Sequence, residues 1–169
     1  QMNIMIVNAL VSLQKNGFHI GIVSGSDFDY IMQQCKIITE INPLSHYKID
    51  FFPCNGTKHY KLSKTCQKIT YYEKNMIEEV GKKSFNNLIF SLFNILNNLK
   101  SETWSNNLPL TGQFIDYRES MINFCPIGRN ASPEERKVWK KLDDAFNIRS
   151  EIFSKYFKNL NQNIVVKLG

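Results

Sequence analysis

The 169-residue sequence has no apolar run long enough to cross a membrane, so a spanning helix is not expected. The apolar start Met2–Leu13 lacks the basic flank and small-residue cleavage site of a secretory signal. The four cysteines, Cys35, Cys54, Cys66 and Cys125, include no C-x-x-C pair. A disulfide scaffold is thereby disfavoured, and reduced, mostly buried thiols in a cytosolic protein are the reading. The three histidines, His19, His46 and His59, lack the spacing of a zinc site. No internal repeat is visible, and the asparagine-rich patches are compositional bias. A basic stripe with interleaved aromatics is also missing, which argues against nucleic acid as a partner.

What is present is a chain 43% hydrophobic and 12% aromatic, enough for one sizeable core or two small ones. Its formal net charge of +6 suits nucleic acid, a membrane surface or a small phosphorylated ligand, but charge alone locates no partner.

Apolar spacing at Ile4, Val7, Leu10 and Val11, ended by Asn16 and Gly17, predicts a helix over Ile4–Lys15. The run Phe18–Val23 reads as a strand buried on both faces. The loop "SGSD" and the helix "FDYIMQQC" follow, giving the strand–loop–helix unit of a parallel α/β sheet. "YKIDFFPCNG" is a second strand broken at Pro53. "TKHYKLSKT" reads as a short strand leading into a linker.

After that the rhythm changes. Phe85, Leu88, Ile89, Leu92, Phe93, Leu96 and Leu99 form one face of a helix over Ser84–Lys100. "QFIDYR" and "MINFCPI" form an antiparallel hairpin joined by "ESM". Pro133–Leu160 reads as one long helix, and "NIVVKL" as a last strand. The first third is therefore α/β, and the remainder an α+β layer with helices on one face of an antiparallel sheet.

The most informative stretch is "FCPIGRNASPEER", Phe124–Arg136. Ser132, Pro133 and Glu135 fit a capping box at the start of a helix. Arg136 stands in its first turn and Arg129 just before the cap, where the helix dipole disfavours a cation by about 0.3–1 kcal/mol. Arg118 ends the preceding strand. Convergence of Arg118, Arg129 and Arg136 beside helix N–H groups would suit a phosphate. The alternative is pairing with the nearby acids Asp116, Glu119, Glu134 and Glu135. A second candidate is "VSGSD", Val23–Asp27, whose hydroxyls and N–H groups suit an anion.

"GIVSGSDF", "FFPCNG", "FIDYRESMINFCPIGRNASPEER" and "LDDAFNIRSEIF" resemble the eukaryotic-type phosphomannomutases of the haloacid dehalogenase superfamily. The resemblance runs in order along essentially the whole chain and is weakest through Cys66–Gly112. It implies a partial Rossmann-like core over residues 1–65 followed by an α+β cap over 66–169. It implies interconversion of mannose 6-phosphate and mannose 1-phosphate through a phosphoaspartate and a hexose bisphosphate, supplying activated-mannose synthesis in the cytoplasm. A hexose 1,6-bisphosphate activator and Mg²⁺ go with that activity. By resemblance, Arg118, Arg129 and Arg136 hold the phosphate that is not reacting, and a homodimer forms through the cap with Phe114 in the contact.

The family's D-x-D-G-T nucleophile and its metal-binding acids have no match here. No catalytic residue or Mg²⁺ ligand is therefore expected in this chain, which by itself should be inactive. Cys54 stands where the family has an acid before "NG", and Ser24 where it usually has glycine. A sugar-phosphate phosphatase of the same superfamily and a non-catalytic phosphate-binding fragment are the alternative readings.

Overall fold

A computed structural model describes residues 2–41, 44–157 and 164–168. The chain is a mixed α/β protein of two compact units. The first comprises Gln1–Asn75 together with Arg118–Met121, and the second Met76–Tyr117 with Ile122–Gly169.

In the first unit, α1 (Ile4–Lys15) begins at Asn3, whose side chain accepts the Met5 N–H. The strand β1 (Ile20–Val23) leads into α2 (Phe28–Gln34), capped by Asp27, and the short α3 (Ile37–Glu40). Next come β2 (Ile49–Phe52), the single turn α4 (Pro53–Gly56), β3 (Lys58–Leu62) and β4 (Lys68–Glu73). The sheet order is β1-β2-β3-β4, with β1 parallel to β2 and the other two pairings antiparallel. The parallel β1–β2 pair is the unit that the strand–loop–helix rhythm predicts.

Val7, Ile20, Ile31, Ile38, Ile49, Phe51, Tyr60 and Leu62 form the core between this sheet and its helices. Two expectations change. Strand β1 is not buried on both faces: Val23 is 67% exposed, because among the described residues the helices cover one side of the sheet. The stretch after "TKHYKLSKT" is not a linker. "KITYYE" pairs with β3 as β4, within a compact unit that includes Gln1–Asn75. All six residues of β4 are exposed, so no burial alternation marked it as a strand.

Tyr60 is buried, and its hydroxyl donates to Glu73 Oε1 at 2.5 Å. Burial first, and the Glu73 carboxylate second, push its phenol above the ordinary value of 10.0. Because the folded state holds this proton more tightly than the unfolded chain, its contribution to stability is present below pH 10.0 and is lost as pH rises through the folded pKa. The expected outcome is a steeper loss of denaturant stability above pH 10 in the wild type than in Tyr60→Phe. Parallel pH profiles would refute the linkage.

The second unit contains α5 (Met76–Val80), α6 (Lys82–Leu99), β5 (Ile115–Tyr117), β6 (Ile122–Phe124), α7 (Pro133–Phe146) and α8 (Ile148–Ile152). The expected antiparallel hairpin is present, with Ile115 opposite Phe124 and Tyr117 opposite Ile122. Leu88, Leu92, Ile95 and Leu99 of α6 form the core with Trp104, Ile148 and Ile152. Ile115, Ile122 and Phe124 of the hairpin and Trp139 and Leu142 of α7 pack against them. Phe93, expected on the buried face of α6, is 55% exposed.

The long helix expected over Pro133–Leu160 is broken at Asn147, which takes left-handed φ 52° and ψ 38°. A single turn of wider, π-type helix, Phe153–Phe157, follows α8, and Leu160 lies outside the described residues. Ile164–Leu168 is not in a strand, and Asn163, the first residue of that expected strand, lies outside the described residues. Among the described residues, no helix is long and apolar enough to cross a membrane. The cysteines are free: Cys35 and Cys54 are buried, Cys125 half-buried and Cys66 exposed.

Candidate functional site

In a parallel α/β arrangement, ligands bind at the carboxyl ends of the strands. In the first unit those ends are the loop Ser24–Asp27 after β1 and the turn Pro53–Gly56 after β2. The two are stapled together. Ser24 N–H donates to Phe52 O (3.1 Å), Cys54 N–H to Ser26 O (2.9 Å) and Asn55 N–H to Ser24 O (2.8 Å). The Ser26 N–H donates to Ser24 Oγ at 3.1 Å. The added hydroxyl of Ser24 therefore closes its own loop, and the N–H groups of Ser24 and Ser26 are already engaged.

Cys54 is buried with φ +51°. Burial, chiefly, pushes its thiol above the ordinary range, against the pull of Ser120, Lys58 and Arg118. It thus stays protonated at neutral pH and donates toward Arg118 O at 3.8 Å.

Arg118 belongs to this unit, and its Nη1 donates to the Gly25 carbonyl. The residues that follow it are held in the same way. Lys58 Nζ pairs with Glu119, and Thr57 Oγ1 donates to Ser120 Oγ at 2.6 Å. Sequence reasoning did not pick out Lys58. A signal was there: in the alternation Lys58, Tyr60, Leu62 it shares the inward face of β3 with two apolar side chains, and all three are buried.

The second locus is the start of α7. The capping box is formed: Glu135 N–H donates to Ser132 Oγ (3.2 Å) and Ser132 N–H to Glu135 Oε2 (2.6 Å). Arg136 does not stay over the positive end of the helix. Its guanidinium folds back, Nε donating to Ala131 O (3.0 Å) and Nη2 to Arg129 O (2.5 Å). That resolves the conflict with the dipole, since two carbonyls of the preceding loop accept the cation. Arg129 pairs with Asp116, Nη1 to Oδ2 at 3.4 Å, and its N–H donates to Gln113 O (2.8 Å).

The structure therefore places Arg129 on the loop before α7 and Arg136 in the first turn of that helix, its guanidinium bonded to the Arg129 carbonyl, and sets Arg118 in the first unit. Of the acids that composition offered as partners, Asp116 is used by Arg129, and Glu119 is used by Lys58. Arg136 in the first turn of α7 rests on loop carbonyls and the Arg129 side chain, just before the cap, is 40% exposed; guanidiniums near a helix N-terminus are groups that accept a phosphate monoester.

A model of the eukaryotic phosphomannomutase family matches residues 7–166. The phosphomannomutase of Saccharomyces cerevisiae is 30% identical over 139 residues, covering 81% of this chain and 48% of its own length. That of Dendrobium officinale is 31% identical over 148 residues, covering 84% and 51%. Phosphomannomutase 1 of Homo sapiens is 30% identical over 148 residues, covering 86% and 50%. The chain thus spans about half the length of the curated relatives it matches.

Proposed function

Since the chain belongs to the eukaryotic phosphomannomutase family, we propose that it serves the interconversion of mannose 6-phosphate and mannose 1-phosphate, with Arg129 and Arg136 holding the phosphate that is not reacting and Arg118 contributing to substrate binding. The observation that carries this reading is the placement of Arg129 on the loop before α7 and of Arg136 in the first turn of that helix, its guanidinium bonded to the Arg129 carbonyl. A hexose bisphosphate intermediate presents a second anion wherever the first is reacting, and a bidentate guanidinium site is the chemistry that holds it.

On this reading the first unit is part of the α/β core and the second is the cap. Among the described residues, no group of three His, Cys, Asp or Glu side chains converges to hold a metal ion. The reading accordingly assigns the phosphoryl-carrying aspartate and the metal ligands to the part of the family's length that these residues do not match. A cytoplasmic setting and a homodimer through Phe114, which is half-buried within its unit, complete the proposal. Aromatics of that kind are enriched in interface cores.

Arg129→Ala is the cleaner test. Its pairing with Asp116 is half-exposed, so loss should cost about 0–1 kcal/mol of stability. Affinity for mannose 1-phosphate, measured by titration calorimetry, is expected to fall about 10- to 150-fold, the loss of one charge-assisted contact. Arg136→Ala should lose similar affinity and, unlike a cation merely opposed to a dipole, some stability too, because two carbonyls lose their donor. Unchanged affinity in both variants would overturn the assignment.

A further inference from the structure

Position 58 of β3 faces inward, beside Tyr60 and Leu62, and Lys58 is 8% exposed there. An apolar side chain is the ordinary occupant of such a position, and a buried ammonium is costly unless paired. The partner is Glu119, whose own side chain is 65% exposed. Replacing an ion pair of this kind with a well-packed apolar residue is often neutral or stabilising, so stability is a weak explanation for a lysine at this place.

What the pair does hold is a short piece of backbone. Arg118 N–H donates to Met121 O (2.8 Å) and Ser120 N–H to Arg118 O (2.7 Å), which puts Glu119 at φ +61°. That is a sparsely populated conformation for a residue other than glycine, and it persists where the surroundings fix it. Each residue of the link meets the run Cys54–Lys58: Cys54 Sγ at Arg118 O, Lys58 at Glu119, Thr57 at Ser120, and Asn55 Nδ2 at Met121 Sδ (3.9 Å). Burial of Lys58 works against its charge, but the Glu119 carboxylate outweighs it and holds the lysine above its ordinary range. The lysine is therefore charged at neutral pH.

We propose that Lys58 is a positioning residue for Arg118: through Glu119 it fixes the Arg118–Met121 link, so that the Arg118 guanidinium stays beside the loop after β1 where a hexose phosphate is to be met. This rests on the phosphate-binding reading of Arg118 given above. The geometry makes Arg118's placement depend on a residue buried on the inward face of β3.

The test uses the whole chain with Lys58→Met, Lys58→Arg, Arg118→Ala and the Lys58→Met/Arg118→Ala pair. Three readouts are taken: thermal midpoint, affinity for mannose 1-phosphate, and amide hydrogen exchange at Arg118 and Ser120. Lys58→Met is expected to keep or raise the thermal midpoint, yet to lose about 10-fold in affinity, as Arg118→Ala does. The double variant should be no weaker than Arg118→Ala alone, and Lys58→Arg should recover part of the loss. Exchange at the two link amides should speed about 10-fold in Lys58→Met while the β2–β3 amides keep their rates.

Weakened binding in Arg118→Ala beside near wild-type affinity in Lys58→Met would overturn the positioning role and leave the phosphate reading standing. Unchanged affinity in Arg118→Ala would remove the phosphate reading at that residue. The exchange rates then decide the positioning role by themselves, and unaltered rates overturn it.

Discussion

Gly128→Ala is expected to destabilise the second unit by about 3–5 kcal/mol, near the upper end of what single substitutions do. Gly128 has φ +82°, where an L side chain costs roughly 1–2 kcal/mol. The larger part comes from its neighbour. A Cβ built on Gly128 would lie 1.8 Å from Thr111 O and 2.5 Å from Thr111 C, both backbone atoms with no rotamer to relieve the clash. Nor is Thr111 able to withdraw without loss, since its N–H donates to Ile127 O (3.0 Å) and its carbonyl accepts from Asn130 N–H (3.3 Å). Ile127, next to the glycine, is 1% exposed. Shifting this crossing would move the loop that carries Arg129.

Gly17→Ala is the control. Gly17 has nearly the same φ, +81°, with nothing within 4 Å of the added atom, so about 1–2 kcal/mol is expected there. Urea unfolding of the two variants separates the terms. Equal costs would mean that the close approach of Gly128 to Thr111 is not a feature of the folded protein.

Asp143→Ala is expected to cost about 2–4 kcal/mol. Asp143 is 7% exposed, and it spans the break between α7 and α8. Its Oδ1 accepts the Arg149 N–H at 2.8 Å and its Oδ2 accepts Arg149 Nε at 2.7 Å, while its carbonyl accepts the Asn147 N–H at 2.8 Å. The carboxylate thus serves as the cap that Asn147, left-handed and without a side-chain cap bond of its own, does not supply to α8. Because the Arg149 side chain is 42% exposed, the ionic part is discounted and most of the cost is the orphaned backbone N–H. Asp143→Asn keeps one acceptor and should recover part of the stability. A change within about 0.5 kcal/mol for Asp143→Ala, the scatter of ordinary surface substitutions, would contradict this account.

These two sites show where reading the sequence stops. The break at Asn147 was not legible because apolar residues continue in helical spacing past it, at Ile152, Phe153 and Tyr156. The long-helix expectation followed from that spacing. What ends α7 is a backbone conformation stabilised by a carboxylate four residues back, and no periodicity encodes that. The fate of "KITYYE" is the same kind of case. An edge strand exposed at every position has no alternation of burial to imprint on its composition, so its pairing to β3 appears only in the fold. The exposure of Val23 follows from which face of the sheet the helices cover, which a single strand's composition does not carry.

Local chemistry, by contrast, was written in the chain. The capping box of Ser132 and Glu135, the limits of α1 and the β5–β6 hairpin all depend on groups within a few residues of one another, so short spacing was enough to specify them. Arg129 and Arg136 were legible as residues too, since cations at a helix start conflict with the dipole. Which acceptor each one meets was settled only in three dimensions. Arg136 turned to two carbonyls, Arg129 to Asp116, and Arg118 to the Gly25 carbonyl, 93 residues away in sequence. A partner as distant as Gly25 is chosen by the packing of separate segments, and a charge in the sequence states that a partner is needed without stating which.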